Sequence, residues 1–434
     1  MKNIWEDGRN VPVLDEVDVL VLGAGPAGVS AAICAAREGM RTMLIEQSGD
    51  VGGVATTGLM SHWTGNTKGG FYEEILQKTS ELNDENSSMN GCPRQIINPE
   101  SLKTHLLEML VEAGIVLRLY SFASVPIVHD NIIKGVILES KAGRQAALAK
   151  IVIDSTGDGD IAARAGVPYF KGREEDGLMQ PVTIMFKVAG VDTDRSVFPG
   201  SFEENPLIPA GPIQDVGKAN LPFPAGHVLL YRTSLPGIVT CNMTNCTDID
   251  GTNPADLTKA TLFCRRQMNK IISFLRKFVP GFENCYLISS ASIIGVRETR
   301  HFYGEATITK DDIFSARVFE DWAITKAYFN FDVHNLTGNG LDKTGVQKHF
   351  SQKNGYTIPY GCLVPKKIDN LLLAGRDICG THIAHSNFRV MPICANMGQA
   401  AGVAASLCVK MNVLPRELNV KHLQKRLIDL GVTP

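Results

Sequence analysis

The chain has 434 residues, of which 44% are hydrophobic and 20% charged, with a formal net charge of -2. That length exceeds one ordinary core and predicts about two to three folding units. The near-neutral balance excludes nucleic-acid binding through a broad basic surface. The absence of any run of about eighteen apolar residues argues against a membrane span. The opening MKNIWEDGRNVPVLDE carries acids and no leader pattern, so a cytoplasmic location is expected.

Residues 18–53 read DVLVLGAGPAGVSAAICAAREGMRTMLIEQSGDVGG. This is an apolar strand, a glycine turn, an alanine-rich helix, a second strand, an acid and a glycine pair. Gly23 permits the tight turn, Gly25 lets the backbone approach a pyrophosphate, and Gly28 lets helix and strand pack closely, so phosphates can sit on the helix N-terminus. Pro26 and Ala27 complete that turn. Glu46, roughly twenty residues on, is placed to accept hydrogen bonds from the ribose hydroxyls, and its charge disfavours a 2′-phosphate and hence NADP. A ligand-free turn is the plain alternative, but the full order of elements favours a dinucleotide cradle.

Downstream lies a loop rich in Gly, Ser and Thr that contains His62 and Trp63. A helix over 99–113 is predicted from Leu102, Leu106, Leu107 and Leu110 on one face. Strands are predicted over 115–121, 124–129 and 132–140, with Asp130-Asn131 as a turn, and a buried strand over 149–154 ends in Ser155-Thr156-Gly157-Asp158-Gly159-Asp160. From Val167 the pattern changes to VTIMFKV, a Pro- and Gly-rich loop over 198–226 and a helix over 253–278. A strand over 368–377 and an alanine-rich helix over 392–410 return to the first pattern. The expected fold class is therefore α/β. A Rossmann-type, discontinuous nucleotide-binding domain would comprise 1–166 and 355–434, with an inserted α+β substrate or cap domain over 167–354.

The ten cysteines, Cys92 among them, include no CxxC and no zinc spacing, so most are expected to be small buried apolar groups and no metal site is predicted. Cys241 and Cys246 form the one close pair, and a redox role for it is the weaker alternative.

Four blocks then coincide in order: GAGPAG with Glu46 and the glycine pair, IDSTGDGD, IIGVRETR, and NLLLAGRDICGTHIAHSNFRVMPICANMGQAAGVAA. Together, over roughly Asp18 to Lys410, they resemble the FAD-dependent oxidoreductase family of the glutathione-reductase-like flavoprotein superfamily. The resemblance implies FAD as the cofactor. It implies that Gln47, Gly52, Gly53, Val54, Ala55, Thr56 and Thr57 run along it after Glu46. It also implies that Ser155, Thr156 and Gly157 lie at a strand end on its adenosine side, with Asp158 and Asp160 equally readable as turn or cap residues. Gly375, Arg376 and Asp377 would meet the ribityl chain. Met391 would open a helix, carrying Gly398, whose N-terminus faces the flavin pyrimidine and there stabilises developing negative charge.

A flavin supplies the redox chemistry, so the protein must orient a substrate and manage a proton. His382 and His385 in THIAHSNFR are the candidate proton carriers, by position and by the titration of histidine near neutrality, with backbone bonding in a loop as the alternative for either. Arg389 suits a substrate carboxylate or the flavin through charged hydrogen bonds, with a structural ion pair as the alternative. Alternation along a strand in RETR would give Arg297 and Thr299 one face and Glu298 and Arg300 the other, so Arg297 or Arg300 is a candidate for the substrate pocket, against a salt-bridged scaffold as the stronger reading; His62 is a further candidate, with loop packing an equal alternative. The expected activity is hydride transfer between flavin N5 and a small polar organic molecule bearing a hydroxyl or carboxylate. A flavin-dependent tRNA-modifying enzyme is one alternative, though it calls for a basic extension. A non-catalytic flavin-binding protein is the other, and polar side chains near the ring argue against it. No nucleic-acid or membrane partner is expected, and the oligomeric state stays open.

Overall fold

A computed structural model describes residues 3–6, 8–89, 92–345, 352 and 354–434, with only the backbone described for 80–89 and 92–94. The strand Val13–Leu22 pairs in parallel with Thr42–Ile45 on one side and with Gly143–Asp154 on the other. Val116–Arg118 extends the sheet in parallel beyond Thr42–Ile45. The long strand Gly143–Asp154 is shared along its length. Its first half pairs antiparallel with Ile132–Ser140, and its last residues, Val152 to Asp154, pair in parallel with Leu371–Leu373. The C-terminal segment therefore returns to the sheet beside the first strand's partner. All of these parallel strands end on one edge, where an open α/β sheet receives its ligand.

The helix Pro26–Arg37 follows the glycine turn, with proline in its first turn. Against it lies Met391–Met411, and the two approach so closely that a Cβ at Gly398 would stand 2.0 Å from the Ala27 carbonyl oxygen. Met391–Met411 is long and apolar enough to cross a membrane, yet 89% of its apolar window is buried inside the protein. Alanine and glycine on both helices make this close contact possible.

The middle block forms a four-stranded antiparallel sheet in the order Leu230–Arg232, Val239–Cys241, Phe186–Ala189, Tyr286–Ser290, covered by the helix Pro254–Phe278. It has its own buried cluster, which includes Phe186, Val239, Met243, Ile271, Leu275 and Phe282. Residues from Phe302 to Val333, although inside 167–354, pack instead with the cluster around the parallel sheet. Three local expectations differ from the structure. The loop 198–226 contains the helix Ile213–Asn220, whose buried face is Ile213, Val216 and Gly217. The RETR stretch becomes strand only at Arg300–Phe302, and THIAHSNFR contains a short helix, His382–Phe388. The side chain of Cys92 lies outside the described residues.

Candidate active site

A cavity of about 740 Å³ opens along the C-terminal edge of the parallel sheet and continues to the middle block. Its first end is built from the glycine turn. Gly23 sits at φ +89, and a Cβ there would stand 2.6 Å from the Ser155 carbonyl oxygen. At Gly28 a Cβ would meet the Gly23 carbonyl oxygen at 1.8 Å, so only glycine fits. The Ser155 hydroxyl donates to the carbonyl oxygens of Leu22 and Gly23 at 2.8 and 2.9 Å, which ties the two strand ends together. Asp154 is fully buried. Its carboxylate accepts from the backbone N–H groups of Ile161 and Ala162 at 2.9 and 2.8 Å, anchoring the following helix. Glu46 receives the N–H groups of Ala24 and Ser48, both at 2.8 Å, so its carboxylate braces the turn at the cavity wall.

Of the residues expected to touch a dinucleotide, Gly23, Gly25, Pro26, Ala27, Glu46, Gln47, Gly53, Val54, Thr57, Ser155, Thr156, Gly157, Gly375, Arg376 and Met391 line this cavity. Gly28, Gly52, Ala55, Thr56, Asp377 and Gly398 stand one layer behind. Gly52 donates its N–H to the Ala24 carbonyl at 2.7 Å, and the Thr56 hydroxyl donates to Val51 at 2.5 Å. Asp377 is fully buried, and neither carboxylate oxygen has a hydrogen-bond partner among the described residues; burial and the nearby Asp154 carboxylate push it well above the usual carboxylate range. Arg376 pairs with Asp158 at 3.0 Å, and Arg300 pairs with Asp160 at 2.9 Å, so Arg300 serves the scaffold rather than the cavity wall. The N-terminal turn of Met391–Met411 opens onto the cavity through Val390, Met391 and Cys394.

The second end is lined by Met185, Phe202, Leu229, Ile294 and Phe329, with a polar group of Tyr231, Asn242, Arg297, Asp332, His334 and Arg389. Arg389 pairs with Asp332 at 3.0 Å, and His334 Nε2 lies 3.3 Å from the same carboxylate. Burial and the Arg297 charge depress His334 to about 4, against a weaker opposing pull from Asp332, so the ring is neutral at pH 7. Burial opposes ionisation of Asp332, but His334, Arg389 and Arg297 together hold it well below the usual carboxylate range. Burial and the neighbouring Arg389 lower Arg297 to about 10, still protonated at neutral pH.

His382 and His385 do not line the cavity. His382 Nδ1 lies 2.5 Å from Glu298 Oε1, and His301 Nε2 lies 2.8 Å from the same oxygen. His385 packs edge-on against His301, with ring centroids 5.0 Å apart. Burial opposes charge on Glu298, yet hydrogen bonds with His301 and His382 keep it far below its ordinary range, and Glu298 in turn raises His382 against its own burial. Burial and the adjacent His301 push His385 well below its ordinary value. His62 is buried behind the wall, its ring 4.8 Å from that of Tyr231. Sequence reasoning thus located Arg297 and Arg389 at the cavity but passed over Asp332 and His334. Their signal lies in FNFDVHN, where Asn330, Asp332 and His334 alternate with apolar residues.

The parallel sheet, the glycine turn and the cavity at the strand ends define a Rossmann-type nucleotide-binding enzyme. Residues 18–427 match the family described as FAD dependent oxidoreductase, and the chain belongs to that family. FAD is its cofactor, and the glycine cradle, whose space side chains would fill, suits that dinucleotide. Among curated proteins, the chain is 28% identical over 230 residues to a digeranylgeranylglycerophospholipid reductase of Methanosarcina acetivorans, covering 48% of this chain and 54% of the relative. A protein of the same description from Picrophilus torridus is 66% identical over 35 residues, 8% of this chain and 9% of the relative. The longer match thus spans about half the length of that relative. Among solved structures, a geranylgeranyl bacteriochlorophyll reductase-like protein from Thermoplasma acidophilum aligns over 96% of this chain and 84% of its own, at 13% identity and a TM-score of 0.49. p-Nitrophenol 4-monooxygenase from Pseudomonas putida aligns over the same shares at 10% identity and a TM-score of 0.49.

Proposed function

We propose that this FAD-dependent oxidoreductase exchanges hydride between flavin N5 and a small polar organic substrate bearing a hydroxyl or carboxylate. The bound flavin supplies the redox chemistry. One observation carries the reading: the cavity runs unbroken from the glycine cradle to Tyr231, Asp332, His334 and Arg389. Arg389 orients the substrate, and Asp332 holds both Arg389 and the neutral His334 ring in place. His334 carries the proton, being neutral at pH 7 and on the cavity wall. His382 and His385 keep a positioning role through Glu298, fixing the segment that leads into Met391–Met411. The glutathione-reductase-like superfamily is the wider placement we favour, supported by the shared strand Gly143–Asp154 and the returning strand Leu371–Leu373.

The test is anaerobic mixing of the FAD-loaded protein with panels of hydroxy acids, sugars, amines and nicotinamides, followed by loss of the flavin absorbance. The expected result is bleaching by one polar class, with His334→Gln slowing it about a hundred- to ten-thousandfold while FAD stays bound. Bleaching by none of them, in a protein that retains FAD, contradicts the proposal.

A second reading has one observation behind it. Met185, Leu229, Leu257, Ile293 and Ile294 form an apolar wall, and the curated relatives carry the name of a prenyl-lipid reductase. Under this reading the polar group holds the head of a substrate whose apolar tail follows that wall. Reoxidation of the dithionite-reduced flavin by a geranylgeranyl lipid, with no response to the small polar panel, would favour it.

A further inference from the structure

Arg297 is 7% exposed and lines the cavity at its second end. Its hydrogen bond runs from Nη1 to the backbone carbonyl of Pro181, and it has no ion pair among the described residues. The other charged groups on this part of the wall are already matched: Arg389 with Asp332, and Asp332 with His334. Towards the cradle, Arg376 is matched with Asp158, and Arg300 with Asp160. Asp332 is the opposite charge felt most by Arg297, but it is bonded to Arg389. A buried guanidinium with no carboxylate bonded to it is costly, and proteins normally keep such a group paired. The charges at the second end sum to one positive excess: two arginines against one carboxylate, beside a neutral imidazole.

From this excess we infer that the cavity takes a monoanion, its carboxylate or equivalent oxyanion seated on Arg297, and discriminates against neutral and dianionic analogues. This rests on the reading that the second end is the substrate end of an FAD enzyme, and it narrows that reading to a charge class. The planar guanidinium suits a two-oxygen anion. Met185, Ile294 and Phe329, which line the same cavity, suit a compact apolar body behind the charge. Asp332 sets the count, since removing its charge raises the excess from one to two.

The experiment titrates the FAD-loaded protein with benzoate, its neutral isostere benzamide, and the dianion phthalate, following heat of binding and the flavin spectrum. Benzoate is expected to bind, with benzamide and phthalate each about ten- to a hundredfold weaker, the range set by one charged hydrogen-bonding group. Arg297→Gln should weaken benzoate by the same factor and leave benzamide unchanged, while Arg297→Lys should keep most of the preference. Asp332→Asn should move the preference towards phthalate. The comparison of the three ligands on the unaltered protein needs no variant to fold.

Equal binding of benzoate and benzamide, or benzoate binding indifferent to Arg297→Gln, overturns the inference. So does an Arg297→Gln protein whose flavin spectrum and sulfite reactivity change without any added ligand, because the flavin itself would then be the partner of Arg297. A protein that takes up no FAD fails at the earlier reading instead, which separates the two failures.

Discussion

The two ends of the cavity are made by different means. The cradle end is made of backbone: glycine conformations, N–H groups and strand ends, with Glu46 and Ser155 as braces. The second end is made of side chains brought from Thr183, Tyr231, Arg297, Asp332 and Arg389, residues far apart in the chain. A backbone cradle tolerates little change of shape but carries little charge of its own. The side-chain end can be reshaped residue by residue, yet each charge there depends on its neighbours. Under the proposed function, affinity for the common cofactor belongs to the first end and selectivity to the second.

Substitutions should separate the ends, and the largest effect belongs to Asp332. Asp332→Ala removes the only described carboxylate paired with Arg389; the pair is part-buried, so its loss should cost about 3 kcal/mol, the lower end of the range for a buried pair. Denaturant unfolding should show that loss, with Asp332→Asn milder. A loss under about 1 kcal/mol would mean that Arg389 is solvated rather than paired. At the other end, Glu46→Ala should weaken FAD retention by about 1.5–3 kcal/mol, roughly ten- to a hundredfold. Benzoate selectivity in the FAD-saturated protein should be unchanged. Equilibrium dialysis against FAD checks the first statement, and unchanged retention would show that the ribose is held elsewhere.

Gly28→Ala should act on the cradle through shape, because its Cβ would overlap the Gly23 carbonyl. Forcing such a group into a packed site costs about 1–3 kcal/mol. A lowered melting temperature together with poor FAD loading is the expected outcome, and a normal yellow protein would refute the close packing.

The smallest effect is on pH dependence. His334 and His227 are depressed by burial to about 4 and about 3, from an ordinary 6.5. Between those values and 6.5 the unfolded chain binds more protons than the folded one, so these residues make stability rise with pH across that window. His334→Gln should flatten the rise between pH 4.5 and 6.5, as read from melting temperatures. An unchanged slope would mean that His334 is protonated in the folded protein.

The same contrast governs what the amino-acid sequence disclosed. The cradle was legible because its determinants are local: Gly23, Gly25 and Gly28 fall within one turn, and Glu46 closes the next strand. Arg297 and Arg389 were legible as candidates, Arg297 from alternation in the RETR block and Arg389 from its place just before Val390-Met391-Pro392. Asp332 and His334 were not, because nothing in local spacing says that residues 329–334 fold back to the wall beside Arg389. His382 and His385 misdirect for the converse reason. They stand close after Gly375, Arg376 and Asp377 in sequence, but the short helix His382–Phe388 turns their rings towards Glu298 and His301. Proximity in sequence fixed the segment and left the direction of its side chains to long-range packing.

The most direct test of the division between the two ends is a crystal structure of the protein with FAD and benzoate bound. The account predicts the FAD pyrophosphate at the Gly23–Gly28 turn and the benzoate carboxylate within hydrogen-bonding distance of Arg297, beside the Arg389–Asp332 pair. A benzoate bound elsewhere, or an Arg297 guanidinium bonded to the flavin ring with no anion on it, would contradict that division.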